Sequence, residues 1–113
     1  MKTKEDRILE WSGKYYHEVY TYVRKVCKEK SLTEEITNRT FMEAYDNVGN
    51  VQRAGDPKGW MYRTARYFIL KEFYEGWKRG EDISAKYELP ENVDMDKIQF
   101  ILKHYEEENG KNK

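Results

Sequence analysis

One stretch of this sequence decides the fold: PKGWMYRTARYFILK, residues 57–71. Its apolar residues recur at three- and four-residue spacing, which is the period of an α-helix. The dipeptide Asp56-Pro57 at its start is typical of a helix N-terminus, because aspartate accepts hydrogen bonds from free amides and proline needs no amide partner in the first turn. The pattern predicts a helix over residues 57–78, with Gly80 as its stop.

The helical period also runs through three other segments. Their apolar residues predict helices over residues 14–30, 32–48 and 94–108. Ser31 and Glu34 form a capping-box pattern at the start of the second of these helices. No segment alternates apolar and polar residues as a strand does. The sequence therefore predicts an all-α fold, a compact helical bundle of three main helices plus a C-terminal helix.

The segments outside these helices predict turns and loops. Residues 8–11 predict a short turn or helix that the Ser12-Gly13 pair separates from the next one. Residues 47–56 are rich in Gly and Asn and predict a loop of unusual length, a kind of segment that often carries function. Residues 81–92 are acidic, contain Pro90 and predict a linker.

The overall charge and the distribution of apolar residues are typical of a protein that is neither inserted in a membrane nor exported. The 113 residues carry 21 basic and 21 acidic side chains, so the formal net charge is zero. No run approaches the roughly 18 apolar residues of a membrane span, and the N-terminus lacks the apolar stretch of a signal peptide. We therefore expect a cytoplasmic chain with no membrane partner.

Residue patterns that support catalysis are missing. His17 and Cys27 are ten residues apart on one predicted helix and fall on different faces, so they do not form a nucleophile and base pair. His104 stands among acidic residues and is expected in solvent. No metal-binding or phosphate-loop pattern occurs. The sequence predicts no enzyme, no metal and no cofactor.

Large and sulfur-containing side chains indicate where the core lies. Cys27 has no second cysteine to pair with and is expected as a buried, inert thiol. Trp11, Phe73 and Trp77 are expected in the core, because large aromatic side chains dominate small cores.

The predicted helix over residues 57–78 has two contrasting faces. Residues 57–80 carry six basic and two acidic groups, a local net charge of plus 4. Cations pair with phosphates, and rings stack on unpaired bases for about 1–3 kcal/mol each. The outer face is therefore either a surface for single-stranded nucleic acid or an ordinary solvated face whose tyrosines cover the core edge. The predicted inner side carries Met61, Ala65, Phe68 and Ile69, and the outer side carries Arg63, Arg66, Tyr67, Lys71, Tyr74 and Lys78.

Two stretches in this order resemble a known family. TEEITNRTFMEAY at residues 33–45, followed by PKGWMYRTAR at residues 57–66, is similar to region 2 of bacterial extracytoplasmic-function (ECF) sigma factors. The resemblance covers about residues 14–80. It implies a helical bundle that docks on the clamp helices of the largest subunit of core RNA polymerase. It also implies that the bundle recognises and opens the minus-ten promoter element.

The resemblance also implies site residues. In the family, the loop before the helix that corresponds to residues 57–78 captures a flipped-out base of the non-template strand. The resemblance therefore places that role on residues 47–56. Phe41 is expected to pack inside. The implied polymerase-binding residues are Glu34, Glu35, Asn38 and Arg39. The implied DNA-binding residues are Asn50, Arg53, Lys58, Trp60, Tyr62, Arg63, Arg66, Tyr67 and Lys71.

The resemblance divides the chain into a region 2-like domain, residues 1–80, and an acidic linker with a C-terminal helix, residues 81–113. Only 33 residues follow Gly80, too few for the region 4 domain with which the family continues. Two explanations stay open, a fragment of a longer protein or a natural relative without region 4. The last helix either begins the missing domain or packs back on the bundle.

An alternative function belongs to a different class. In it, the region 2-like bundle has lost DNA contact and binds only proteins, either an anti-sigma factor or a second copy of itself. The zero net charge favours this alternative, because DNA-binding domains usually carry a basic excess. The local charge of plus 4 on residues 57–80 favours DNA binding.

Overall fold

The computed structural model describes residues 1–88, 90 and 92–110. Within these residues no strand forms, and the one bridge of β type joins Cys27 to Tyr87. The all-α prediction is confirmed. The described helices are α1 (Lys4–Arg24), α2 (Lys30–Asp46), α3 (Val48–Ala54), α4 (Pro57–Lys78), α5 (Ile83–Lys86) and α6 (Met95–Glu108).

Helix α1 is continuous through Ser12-Gly13, so the predicted break there is wrong. Its start is fixed by a capping box in which Thr3 Oγ1 accepts from the amide of Asp6 at 3.1 Å and the Asp6 carboxylate accepts from the amide of Thr3 at 3.0 Å. A helical glycine costs only about 1 kcal/mol. Burial of Trp11 before the pair and Val19 after it offsets that cost.

The chain leaves α1 six residues earlier than predicted. The Arg24 guanidinium donates to the carbonyls of Cys27 at 2.8 Å and Lys28 at 2.6 Å, which holds the chain in a turn. Helix α2 then begins at Lys30, and its N-cap residue Glu29 makes no side-chain cap hydrogen bond. The predicted capping box from Ser31 to Glu34 is therefore wrong.

Helix α2 buries three threonines without leaving their hydroxyls unpaired. Thr33, Thr37 and Thr40 donate to the carbonyls four residues earlier at 3.0, 2.7 and 2.9 Å. A buried hydroxyl costs free energy only when it lacks a partner, so this face packs as an apolar one. Phe41 lies beside it in the core, as predicted.

The segment predicted as a long loop is instead helix α3. Val48 and Val51 are buried on one side of it, and this burial outweighs the turn-forming tendency of the neighbouring Gly and Asn residues. The helix ends at Gly55, whose φ of 72° is the left-handed conformation that glycine adopts without strain.

Helix α4 has the predicted bounds. The Asp56 carboxylate accepts from the amide of Gly59 at 3.0 Å, which confirms the predicted N-cap. Gly80 has a φ of 78° and ends the last turn. The predicted inner face is buried, and Trp11 and Phe73 lie in the core as expected. Trp77 is 46% exposed, so its core assignment is wrong.

The described part of the predicted linker packs against the bundle. The amide of Lys28 donates to the carbonyl of Lys86 at 2.8 Å, and the amide of Glu88 donates to the carbonyl of Val26 at 2.7 Å. The ring of Tyr87 is buried and meets the Phe73 ring edge-on at 5.4 Å. Leu89, Glu91 and residues 111–113, which the predicted linker and tail include, lie outside the described residues.

Of the two placements left open for the last helix, α6 adopts the second and packs on α4. Leu102 is its buried residue, and Met95, Ile98 and Tyr105 pack half-buried against the core. Among the residues described, no helix combines the length and apolar character needed to cross a membrane.

Candidate nucleic-acid and polymerase interfaces

The first turns of α4 are held by α1. Lys58 Nζ lies 2.6 Å from Glu18 Oε2, and this hydrogen bond raises the pKa of Lys58 above its usual value. The Tyr62 ring meets the Tyr22 ring edge-on with 5.2 Å between centroids. Lys58 and Tyr62 are therefore positioned by α1, and Lys58 has an acidic partner that an anion must replace.

Arg63 and Arg66 remain available for an anion. Both side chains are exposed, and neither pairs with a carboxylate in the part of the chain that the structure describes. They line a cavity of about 200 Å³ together with Phe100 and His104 of α6. Lys58, Tyr62, Arg63 and Arg66 form a continuous row on α4, which we call the cationic strip.

Tyr67 does not lie on the outer face, so the predicted face assignment is wrong for this residue. It is 3% exposed, because α6 covers it. Its ring stacks on Tyr105 at 4.1 Å with an interplanar angle of 14°. Its hydroxyl donates to Glu106 Oε2 at 2.6 Å. Burial first, and this hydrogen bond second, raise the pKa of Tyr67 well above its ordinary value.

Lys71 shares the acidic partner of Tyr67. Its Nζ lies 3.9 Å from Glu106 Oε2 and 5.6 Å from the centre of the Tyr67 ring. The predicted DNA-binding residues of α4 thus include two groups that differ in their environment, the cationic strip and a covered patch formed by Tyr67 and Lys71.

The other predicted DNA-binding residues lie near the start of α4. Trp60 is half-buried and packs against the core. Asn50 and Arg53 are exposed on α3, where Arg53 donates a hydrogen bond to the Asn50 side chain. Because α3 replaces the predicted loop, these two residues belong to a helix and not to a loop pocket.

Three of the four predicted polymerase-binding residues lie on the solvent side of α2. Glu34 and Glu35 are exposed. Asn38 is also exposed and accepts a hydrogen bond from the Tyr16 hydroxyl at 2.7 Å, which fixes its amide. Two carboxylates and an oriented amide form a polar face suited to cationic and hydrogen-bonding partners.

Arg39 points toward α4. Its Nη1 lies 2.8 Å from Glu72 Oε1, and its guanidinium lies 4.5 Å from the centre of the Phe68 ring. Arg39 therefore connects α2 to α4, and it contributes less charge to the solvent side of α2 than the sequence indicates.

The sequence did not reveal the residues that contact the predicted DNA-binding side chains. Glu18 pairs with Lys58, and the Tyr22 ring contacts the Tyr62 ring. On α6, Tyr105 stacks on Tyr67, and Glu106 accepts its hydroxyl hydrogen bond. Tyr105 was visible as part of an apolar stripe, but no local signal showed which helix that stripe contacts.

The family of the chain follows from a comparison with known proteins. The sigma-70 region 2 family model matches residues 13–79, more than half of the chain. The chain therefore belongs to the sigma-70 region 2 family. No curated protein and no solved structure gave a match in the same comparison. The matched residues include most of α1, all of α2 and α3, and α4; they do not include α6.

Family membership gives the chain a general role. A sigma-70 region 2 domain is a non-enzymatic part of a transcription initiation factor, and the family implies core RNA polymerase and promoter DNA as partners.

Proposed function

We propose that this chain acts as region 2 of an ECF-type sigma factor. In this proposal α2 docks on the clamp helices of the largest polymerase subunit, and α4 holds the melted non-template strand of the minus-ten element. One observation carries the DNA-binding half: Arg63 and Arg66 are exposed and unpaired beside Tyr62 in the described structure of a sigma-70 region 2 chain.

The chemistry of the cationic strip fits melted DNA. Guanidinium groups pair with phosphates, and a tyrosine ring beside them offers a stacking surface that accepts any base. Extruding a base from a duplex costs a few kcal/mol, which contacts of this kind offset. Asn50, Arg53, Lys58 and Trp60 extend the proposed contact surface toward α3.

Docking on polymerase is proposed for Glu34, Glu35 and Asn38, with Arg39 at the edge of that face. A domain tethered to polymerase need not bind DNA tightly by itself, because tethering supplies a high effective concentration. This accounts for a promoter-binding role in a chain of zero net charge. The proposed division places this module in residues 1–80, with residues 81–113 as an appended segment.

The DNA-binding half predicts a specific salt dependence. Affinity for a single-stranded promoter oligonucleotide should fall steeply with salt, and Arg63→Ala with Arg66→Ala should reduce the slope of log K against log salt by about 1.4, for two lost phosphate contacts at about 0.7 each. Fluorescence anisotropy at several salt concentrations, with and without core polymerase, measures this.

A control removes two cations at the opposite, C-terminal end of α4. Lys78→Ala with Arg79→Ala deletes equal charge beyond the cationic strip and should leave the slope within about 0.5 of the parent chain. If both double variants change the slope equally, the salt dependence reflects the total charge of the chain and not phosphate contacts at Arg63 and Arg66. If the parent chain shows no salt-dependent binding under either condition, the DNA-binding proposal fails and the protein-only alternative gains support.

The proposed docking of α2 on polymerase predicts that reversing the charge of Glu35 weakens polymerase binding. Glu35→Lys should sharply reduce co-purification with core RNA polymerase, because it places a cation on the acidic side of α2. Glu107→Lys reverses an exposed charge on α6 and serves as the control. Unchanged recovery of Glu35→Lys would show that a different face docks.

A further inference from the structure

Helix α6 packs on the part of α4 that carries Tyr67 and Lys71, two of the DNA-binding residues that the family resemblance implies. We propose that α6 is an autoinhibitory cover, which must leave the covered patch before Tyr67 and Lys71 contact DNA. This inference rests on the proposed function and adds its regulation. Of the nine DNA-binding residues that the family resemblance implies, Tyr67 and Lys71 are the two that α6 holds by a ring stack, a hydrogen bond and an ion pair.

The contacts under α6 use the same chemistry as the proposed DNA contacts. The Tyr105 ring stacks on Tyr67 at 4.1 Å, where an unpaired base would stack. The Glu106 carboxylate accepts from the Tyr67 hydroxyl at 2.6 Å and lies 3.9 Å from Lys71 Nζ, where a phosphate would pair. An aromatic ring followed by a carboxylate therefore takes the place of a base and its phosphate.

The acidic end of α6 also reaches the cationic strip. Glu108 lines the cavity of about 200 Å³ that Arg63 and Arg66 line. Glu106 and Glu108 thus lie near basic residues of α4, whereas Glu107 between them is exposed. Their negative potential opposes the approach of a phosphate backbone.

The two uses of the covered patch exclude each other. Tyr67 is 3% exposed with α6 in place, and a ring cannot stack on Tyr105 and on a base through the same face. DNA binding at this position therefore requires α6 to move, and the free energy of seating α6 subtracts from the free energy of DNA binding.

The packing of α6 is suited to release. Leu102 is its buried residue, whereas Phe100 on the same helix is 70% exposed. A cavity of about 420 Å³ lies between Ile98 and Ile101 of α6 and Leu70 of α4. Elements with little buried apolar surface open at lower free energy than core helices do.

The experiment compares two single variants of α6 in the full chain. Glu106→Gln keeps the size of the side chain but removes the charge that holds Tyr67 and Lys71, and Tyr105→Ala removes the stacked ring. Each should bind the single-stranded oligonucleotide about three- to tenfold more tightly than the parent chain, as expected for loss of a charge-assisted hydrogen bond or an aromatic pair. Anisotropy titration at one fixed salt concentration measures the change.

Glu107→Gln is the matched control, because it removes the same charge from an exposed neighbour. It should change affinity less than twofold. If Glu107→Gln tightens binding as much as Glu106→Gln, the effect is general electrostatic repulsion and the cover is excluded. Thermal unfolding of each variant identifies any that have lost the bundle itself.

Hydrogen exchange provides a second measurement that needs no variant. Amides of α6 should lose protection when DNA binds, whereas amides of α4 should not. Greater protection of α6 on binding would make it part of the DNA site and overturn the proposal. If the parent chain binds DNA but no α6 variant binds it more tightly, the cover fails and the proposed function stands. If no variant binds DNA at all, the proposed function itself fails.

Discussion

Two tyrosines of α4 have similar sequence contexts but differ in burial. Tyr62 and Tyr67 lie five residues apart on α4 and both adjoin a cation, but Tyr62 meets a ring of α1 and stays half-exposed, whereas Tyr67 is covered by α6. Their environments come from residues 40 and 38 positions away in the chain. Such differences belong to tertiary structure, and helical periodicity holds no information about them.

Cys27 supports a prediction at this scale. The thiol is fully buried, and burial raises its pKa from 9.0 to about 11. A thiol reacts as the thiolate, so Cys27 should resist a disulfide reagent at pH 8 in the folded protein and react fully in denaturant. Absorbance of the released thiol measures both rates. Rapid labelling of the folded chain would show that the segment around Tyr87 opens readily.

The helices show which sequence signals are sufficient to predict where a helix begins and ends. The bounds of helix α4 could be predicted because its cap, its proline and its terminal glycine are local signals. Helix α3 was missed because burial of Val48 and Val51 against the bundle is not local. The break predicted in α1 failed for the same reason, since packing on both sides of Gly13 outweighs one unfavourable residue.

The two capping patterns give a matched pair of variants. Asp56→Ala removes a carboxylate that accepts from the Gly59 amide at 3.0 Å and should lower the free energy of unfolding by about 1 kcal/mol. Ser31→Ala changes a predicted cap residue that lies inside α2 and is exposed, and should change stability by less than about 0.5 kcal/mol. Urea denaturation compares them. A cost for Ser31→Ala equal to that for Asp56→Ala would contradict the observed start of α2.

At the scale of the whole molecule, the zero net charge conceals an internal pairing of charged segments. The basic side of α4 faces the acidic end of α6, and the linker between them is fastened to the end of α1. The charge of each segment was readable from the sequence. Their contact was not, because two placements of the last helix satisfied the same apolar stripe.

At the scale of the whole molecule, we predict how the free energy of unfolding changes at alkaline pH. Burial is the first cause that raises the pKa of both Tyr67 and Tyr87 above the ordinary value of 10.0. Above about pH 10 the unfolded chain therefore releases protons that the folded chain retains, so stability falls as pH rises, by up to about 1.4 kcal/mol per pH unit for each tyrosine. Below pH 10 this contribution is constant.

Urea denaturation between pH 8 and pH 11 measures the slope. Tyr67→Phe with Tyr87→Phe should flatten it, because phenylalanine has no proton to release. Tyr20→Phe, at a half-buried position on α1, is the control and should leave the slope unchanged. Identical slopes for all three proteins would show that both buried hydroxyls ionise without unfolding.

The backbone hydrogen bonds of Lys28 and Glu88 determine how the proposed cover responds to protein concentration. They anchor the chain ahead of α6, so a detached α6 stays tethered to the bundle. It then competes with DNA for the covered patch at an effective concentration of about millimolar. Dilution does not weaken a competitor of this kind. The inhibition should therefore be the same at nanomolar and micromolar protein, and a free peptide with the α6 sequence would have to reach millimolar levels to reproduce it.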